Sequence, residues 1–225
     1  MVSIIIPTYN EEKALPETLR HLLSESGDYE VLVVDGGSTD ATQDIVMQEQ
    51  RVRLVSTSKG RASQMNAGAA LASGDWLLFL HADTKLPRGA LARLNVMEQD
   101  RTVQAGGFWH RFSGDDWRLR LVSYLDNFRC RFSRIIYGDQ ALFVRRTLFE
   151  QLGRFSEQPI LEDVAFSERL SRIVTPVLLS PPVITDSRKF VAMGIWRSLA
   201  RCLLIILHVE FSFPFLPRIF FQDIR

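Results

Sequence analysis

Along the first 110 residues, short unbroken apolar runs alternate with stretches whose apolar residues recur three and four positions apart. Ile4-Ile5-Ile6, Val31-Leu32-Val33-Val34, Leu54-Val55-Ser56 and Trp76-Leu77-Leu78-Phe79-Leu80 read as strands, the first stopped by Pro7 and the last long and apolar enough to be buried on both faces. After the first, Asn10 is expected to cap a helix, with Glu11 and Glu12 against its dipole and Leu15, Leu19, Leu22 and Leu23 on one face. A second helix is expected from about Ala41 to Gln50, and Ala62, Met65, Ala69 and Ala72 form the narrow stripe of a small-residue helix. Such alternation predicts an α/β fold with a mostly parallel central sheet flanked by helices. Three polar clusters, Thr8 to Glu12, Asp35 to Asp40 and His81 to Thr84, each follow a strand end. They are expected to converge on one edge, where open α/β sheets hold their ligands.

Beyond residue 110 the pattern is less regular. Gly106 to His110 reads as a strand, and Asp115 to Arg131 as a helix with Leu119, Val122, Leu125 and Asp126 along one side and a solvated arginine face elsewhere. Ala141 to Val144 is a short apolar run, and Leu161-Glu162-Asp163 opens a helix through Val164, Phe166 and Leu170. A helix over Trp196 to Val209 is apolar almost all round from Cys202 to Leu207, yet Arg201 and Glu210 bracket only eight uncharged residues, far from the ~20 a membrane span needs. This helical tail is expected to pack on the domain or on a second subunit, or to lie on a membrane surface through 196–221 with Arg188, Lys189, Arg197 and Arg201 at the headgroups. The expected division is a domain over 1–187, in halves 1–110 and 111–187, with a tail over 188–225.

Composition narrows the classes. With 46% hydrophobic and 24% charged residues the chain resembles ordinary globular proteins, and a net charge of +1 argues against a nucleic-acid partner. Cys130 and Cys202 lie far apart in no metal-like spacing, which fits a reduced compartment without disulfides or zinc. Met1-Val2-Ser3 leads directly into a strand without a signal-peptide pattern, so a cytoplasmic protein is expected, with any peripheral contact on the inner face of the plasma membrane.

The clusters suggest chemistry. Asp83 ends a buried strand and is a candidate to hold a divalent ion; the bland alternative is a turn cap. Asp35-Gly36-Gly37 would let a flat base or ribose approach the backbone, or could be only a tight turn, with Ser38 or Asp40 as helix caps. Lys59, Arg61 and the amides of the next helix could meet phosphate. The glycine spacing matches neither dinucleotide-binding nor P-loop motifs.

As a set, Ile6-Pro7-Thr8-Tyr9-Asn10-Glu11, Val34-Asp35-Gly36-Gly37-Ser38-Thr39-Asp40 and Arg61-Ala62-Ser63-Gln64-Met65-Asn66-Ala67-Gly68 resemble the N-terminal half of a family-2 glycosyltransferase. The resemblance implies the GT-A fold with a nucleotide-sugar donor across the strand ends. It assigns Pro7, Tyr9 and Glu11 to the nucleoside pocket, Asp35 and Gly36 to the base, and Arg61, Gln64 and Asn66 to the donor phosphates or ribose. Where the family carries Asp-x-Asp this chain has His81-Ala82-Asp83. Asp83 takes the metal position, for manganese or magnesium. His81 and Ala82 line the donor, His81 either bonding ribose or base or assisting the metal, where imidazole suits manganese better than magnesium. Glu162-Asp163 resembles the base motif of inverting members, with Asp163 as general base and Glu162 orienting its neighbours. Gly138, Asp139 and Gln140 would contact sugar or acceptor, and Arg188 the diphosphate. The implied activity is metal-dependent, inverting transfer, by family habit from a UDP-sugar, to an acceptor hydroxyl, with a lipid-linked acceptor suiting a tail on a membrane. The alternatives are a non-catalytic nucleotide-sugar-binding or membrane-associated scaffold, which the His81 departure favours and the intact Asp83, Asp139 and Glu162-Asp163 set opposes, and a nucleotidyltransferase. With Phe220-Phe221-Gln222-Asp223-Ile224-Arg225, the His-Ala-Asp-Thr and Gly-Asp-Gln motifs further resemble a bacterial subgroup known as radical-SAM/selenodomain-associated transferases.

Overall fold

In the computed structural model, Ile4-Ile5-Ile6 is the middle of strand β1 (Val2–Thr8), flanked in parallel by β2 (Tyr29–Asp35) and β4 (Trp76–Phe79), with β3 (Val52–Ser56) outside β2. Residues 1–158 and 160–211 are described, with backbone only at Cys202 and 205–211. The subgroup motif at 220–225 lies outside them. Alternate residues of the central strands enter two cores. Ile4, Ile6, Val31, Val33 and Leu78 meet Leu15, Leu19 and Leu22 of α1 (Leu15–Leu23) and Leu91 and Leu94 of α4 (Ala90–Met97). On the other face, Ile5, Val34, Leu77 and Phe79 meet Ala62, Met65 and Ala69 of α3 (Arg61–Leu71) and Phe149 and Phe166 of α6 (Arg146–Gln151) and α7 (Glu162–Ser171). Burial on both faces is why these strands read as continuous apolar runs. The small residues of α3 serve close approach: a Cβ on Gly68 would lie 2.5 Å from Ile5 Cγ2.

The eight strands order as β3-β2-β1-β4-β7-β6-β8-β5. Antiparallel β7 (Phe143–Arg145) joins β4 to β6 (Ala105–Phe112); β6 runs parallel to β8 (Val177–Thr185), and the two-residue β5 (Thr84–Lys85) closes the edge antiparallel to β8. The chain leaves β1 toward β2 and β3 and returns on its other side at β4, so a topological switch point opens beyond β1 and β4.

Several elements depart from expectation. β1 continues through Pro7 to Thr8, because its ladder with β4 ends at Ile5–Phe79 and no N–H is required there. Asn10 does not cap α1. It has φ 55°, its side chain accepts from Thr39 N–H, and α1 begins after Ala14. The second helix, α2, covers only Thr42–Met47, with Asp40 accepting from Thr42 N–H. Helix α5 spans Trp117–Ser133 after an Asp116 cap and buries Leu119, Val122, Ser123 and Cys130, whereas Leu125 faces out. Two helices follow β8: α8 (Arg188–Ala192) and α9 (Ile195–Phe211).

Candidate active site

The three polar clusters meet at the switch point. Asn10 N–H donates to Ser38 Oγ (2.8 Å) and Glu11 N–H to Thr42 Oγ1 (2.8 Å), tying the loop after β1 to the loop after β2. Asp35 is fully buried and accepts from Gly37 N–H, Ser38 N–H and hydroxyl, Gln43 Nε2 and Thr8 Oγ1. It therefore makes the tight turn as well as standing at the strand end, and Asp40, one residue before the N-cap Ala41, accepts from Thr42 N–H. Gln64 spends its amide N–H groups on Thr8 O (2.7 Å) and Val34 O (2.8 Å), clamping β1 to β2 beside Gly36. Asn66 pairs both ways with the Phe155 backbone. Lys59 stands 3.6 Å over the Tyr9 ring, and Pro7 and Tyr9 remain partly open at the rim.

Asp83 lies next along the edge, after buried Ala82. Its Oδ2 is 3.8 Å from Lys189 Nζ, which also bonds Glu11 Oε1 at 2.7 Å. Only a tail lying on a membrane would put Lys189 at headgroups; from α8 it bridges the first and third clusters. Arg188 turns back to Asp186. The signal for a basic residue here was the Arg188-Lys189 pair, but which of the two points inward depends on the phase of α8.

The acceptor side is built around the Gly138–Gln140 turn. Gly138 N–H donates to Asp163 Oδ2 (2.5 Å), and Asp163 Oδ1 accepts from Val164 N–H at the start of α7. A Cβ at Gly138 would lie 2.7 Å from His81 Nε2 and 2.8 Å from both Arg61 Nη2 and Asp163 Oδ2, so all three converge closely on this turn. Arg61 pairs with buried Glu162 (3.2 Å) and approaches His81 Nδ1 at 3.3 Å. Because a guanidinium only donates, Nδ1 accepts, and the ring proton belongs on Nε2. Burial, then Arg61, Lys189 and His110, hold the His81 imidazole well below its ordinary pKa, so it is neutral. Its Nε2 is buried without a partner.

Sequence reasoning missed His110 and gave Asp126 only a place on a helix face. His110 is 2% exposed with both ring nitrogens unpartnered, Nδ1 3.8 Å from Asp126 and Nε2 3.9 Å from Asp139. Arg129 holds the other oxygen of Asp126 at 2.9 Å. Asp139 keeps 31% of its side-chain surface, yet its Oδ1 is buried and unpartnered. Burial pushes its carboxyl up to about 6, which His110 opposes and the Asp126 and Asp163 carboxylates reinforce. Buried Gln140 accepts from Tyr137 N–H, and the Cys130 thiol beside it is pushed up to about 11 by burial.

Two places have donor chemistry for a divalent ion. Asp83 Oδ2 accepts no hydrogen bond from the described residues and faces the crevice, which suits an ion that takes most of its ligands from substrate phosphates. The described His, Asp and Glu side chains close enough to share one ion are His110, Asp126 and Asp139. His81 fits a metal poorly, since Arg61 occupies its lone pair.

A family model described as "Glycosyl transferase family 2" matches residues 3–155. A PGL/p-HBAD biosynthesis glycosyltransferase of Mycobacterium bovis BCG is 35% identical over 181 residues, 75% of this chain and 69% of its own length. The glycosyltransferase GlyG of Streptococcus pneumoniae is 31% identical over 51% of this chain and 41% of its own. Among solved structures, the mannosyltransferase PcManGT of Pyrobaculum calidifontis, in complex with GDP-Man and Mn2+, superposes with TM-score 0.65 at 25% identity, covering 93% of this chain and 68% of that one. S. aureus TarS 1–349 with UDP-GlcNAc superposes at TM-score 0.67 and 18% identity, over 94% of this chain and 73% of that one, a likeness of fold. The switch-point crevice, the GT-A sheet and these relatives agree: the chain belongs to glycosyl transferase family 2 and is a glycosyltransferase that uses a nucleotide-sugar donor.

Proposed function

We propose that the chain transfers a sugar from a nucleoside-diphosphate donor to an acceptor hydroxyl by one inverting displacement, with Asp163 as general base. The observation that carries the reading is the convergence of Asp163 Oδ2, the unpartnered His81 Nε2 and Arg61 on the Gly138 turn. An acceptor O–H that reaches the Asp163 carboxylate gives it its proton while the acceptor oxygen attacks the anomeric carbon, and the bond to the diphosphate oxygen breaks with its electron pair leaving on the nucleoside diphosphate. His81 Nε2–H donates to a sugar or acceptor oxygen, and Glu162 holds Arg61 in place.

Asp83 is the residue we assign to a divalent ion. When bound, such an ion neutralises charge on the leaving diphosphate. The manganese in the PcManGT complex supports the use of a divalent ion. Lys189 rather than Arg188 is our cation for the diphosphate, supported by its reach to Glu11 and Asp83. Pro7 and Tyr9 line the nucleoside, for which uridine is the first candidate; Asp35, Gly36, Gln64 and Asn66 act by fixing the backbone. Asp139 faces the acceptor, and buried Gln140 supports the turn through Tyr137 N–H.

The test is a melting-temperature panel of UDP, GDP and dTDP and their sugars, with and without manganese or magnesium. One nucleotide should raise Tm in a metal-dependent way, about 2.7 kcal/mol of stabilisation at 100-fold excess over Kd, and Asp83→Ala should abolish the metal dependence. If no nucleotide shifts Tm at saturating concentration, the donor assignment falls. The anomeric configuration of the product, read by NMR, decides inversion.

A further inference from the structure

The outward face of α5 is not the solvated basic surface that its arginines suggest. Trp117, Leu121, Tyr124, Leu125, Phe128 and Phe132 follow one another at spacings of four, three, one, three and four, a single stripe opposite the buried Leu119, Val122 and Cys130. Trp117, Tyr124, Phe128 and Phe132 are each between 52% and 69% exposed. Their rings form a row: Tyr124 stacks on Phe128 at 6.4 Å and Phe128 meets Phe132 at 4.7 Å. The row passes to α9 through an edge contact of Trp117 with Trp196 at 6.2 Å, and Leu203 and Leu204 continue the exposed apolar surface there. Scattered exposed apolar residues need no explanation, but a contiguous band of this size marks an interaction site.

Charge selects the occupant. Arg120 and Arg131 run along one margin of the stripe, Arg134 ends it, and Arg197 stands exposed on α9. Arg131, Arg134 and Arg197 make no ion pair with the described residues, and the one carboxylate within α5, Asp126, faces inward to Arg129. An antiparallel second copy would set arginine margin against arginine margin. A bilayer surface bearing anionic headgroups complements both features, taking the rings at headgroup depth and the guanidinium groups on phosphate. Among the described residues, no helix is long and apolar enough to cross a membrane, so the face would lie on the surface.

We propose that α5 and the first turns of α9 are a docking face for an anionic lipid surface. The inner side of α5 carries Asp126, 3.8 Å from His110, so docking sets the bilayer against the outer side of the helix that walls the acceptor side. That the acceptor hydroxyl is borne by a lipid rests on the glycosyltransferase reading; the docking itself does not.

The experiment is co-sedimentation of the full chain with vesicles of phosphatidylcholine, with and without phosphatidylglycerol, for wild type and for the double variant Phe128→Ser, Phe132→Ser. Both rings are more than half exposed, so Tm and nucleoside-diphosphate binding should be kept. Wild type should bind the phosphatidylglycerol vesicles more tightly than the neutral ones, and less so in high salt. The double variant should bind about tenfold or more weakly. Arg131→Glu with Arg134→Glu should lose the preference for phosphatidylglycerol. Wild type left in the supernatant, or a double variant that sediments like wild type, overturns the proposal. So does a wild-type dimer that the double variant dissociates, which would make the stripe a self-interface. Failure of nucleotide binding would sink the donor assignment and leave the vesicle result standing.

Discussion

At the end of β2 the Asp35 carboxylate is surrounded by donors from its own loop, and Gln64 closes the neighbouring carbonyls of β1 and β2. Around the Gly138 turn, by contrast, His81 Nε2, both ring nitrogens of His110, Asp126 Oδ2, Asp139 Oδ1 and Gln140 Nε2 are buried and unpartnered. Buried polar groups are ordinarily satisfied, because desolvation without a partner is unfavourable by about 1–3 kcal/mol. The donor side is therefore complete as a structure, whereas the acceptor side holds groups that a substrate, water or ion would satisfy. The first arrangement keeps the nucleoside platform rigid; the second keeps unspent hydrogen-bonding capacity where chemistry is proposed.

Variants can break or sharpen this contrast. Asp163→Asn should lower the rate of nucleoside-diphosphate release in the presence of acceptor by about 10²–10⁴, with the nucleotide-induced Tm shift kept. A rate within about tenfold of wild type would remove Asp163 from the base role. Gly138→Ala forces a methyl against His81, Arg61 and Asp163, and should destabilise by about 1–3 kcal/mol in urea unfolding as well as suppress turnover. Unchanged stability would mean that the turn yields easily. Lys189→Met should weaken nucleoside-diphosphate binding about tenfold while leaving nucleoside binding unchanged, measured by calorimetry. Equal loss for both ligands would assign Lys189 to holding Glu11 instead.

The smallest effect is a pH slope. Asp139 titrates near 6 in the folded protein against an ordinary 3.8, so the folded state binds more protons between those values. Its contribution to stability is full below the ordinary value and declines as pH rises through about 6. Asp139→Asn should flatten the Tm profile over that window relative to wild type, and an identical slope would show that another group sets it.

Much of the donor half could be read from the chain. Strands buried on both faces impose unbroken apolar runs, so β1, β2 and β4 and their polar ends stood out. The errors there were local: Pro7 is harmless where the β4 ladder has already ended, and Asn10 serves the loop after β2 rather than α1. The acceptor half was less legible. Leu125 was expected inside, but α5 turns it outward with Phe128, because Leu119, Val122 and Cys130 already fill the contact with the sheet. His110 carried no motif, and only its position on β6 brings it between Asp126 and Asp139.

By itself the sequence determined the α/β alternation, the parallel strands and the convergence of three polar clusters, because these follow from periodicity and from the geometry that parallel strands share. Tertiary structure decided which side chains are spent on the scaffold, as with Gln64 and Asn66, and which are left facing the crevice, as with His81. It also decided that Lys189 and not Arg188 returns to Asp83. Adjacent residues on a helix differ by about 100° in direction, so only the packing of α8 against the strand ends could choose between them.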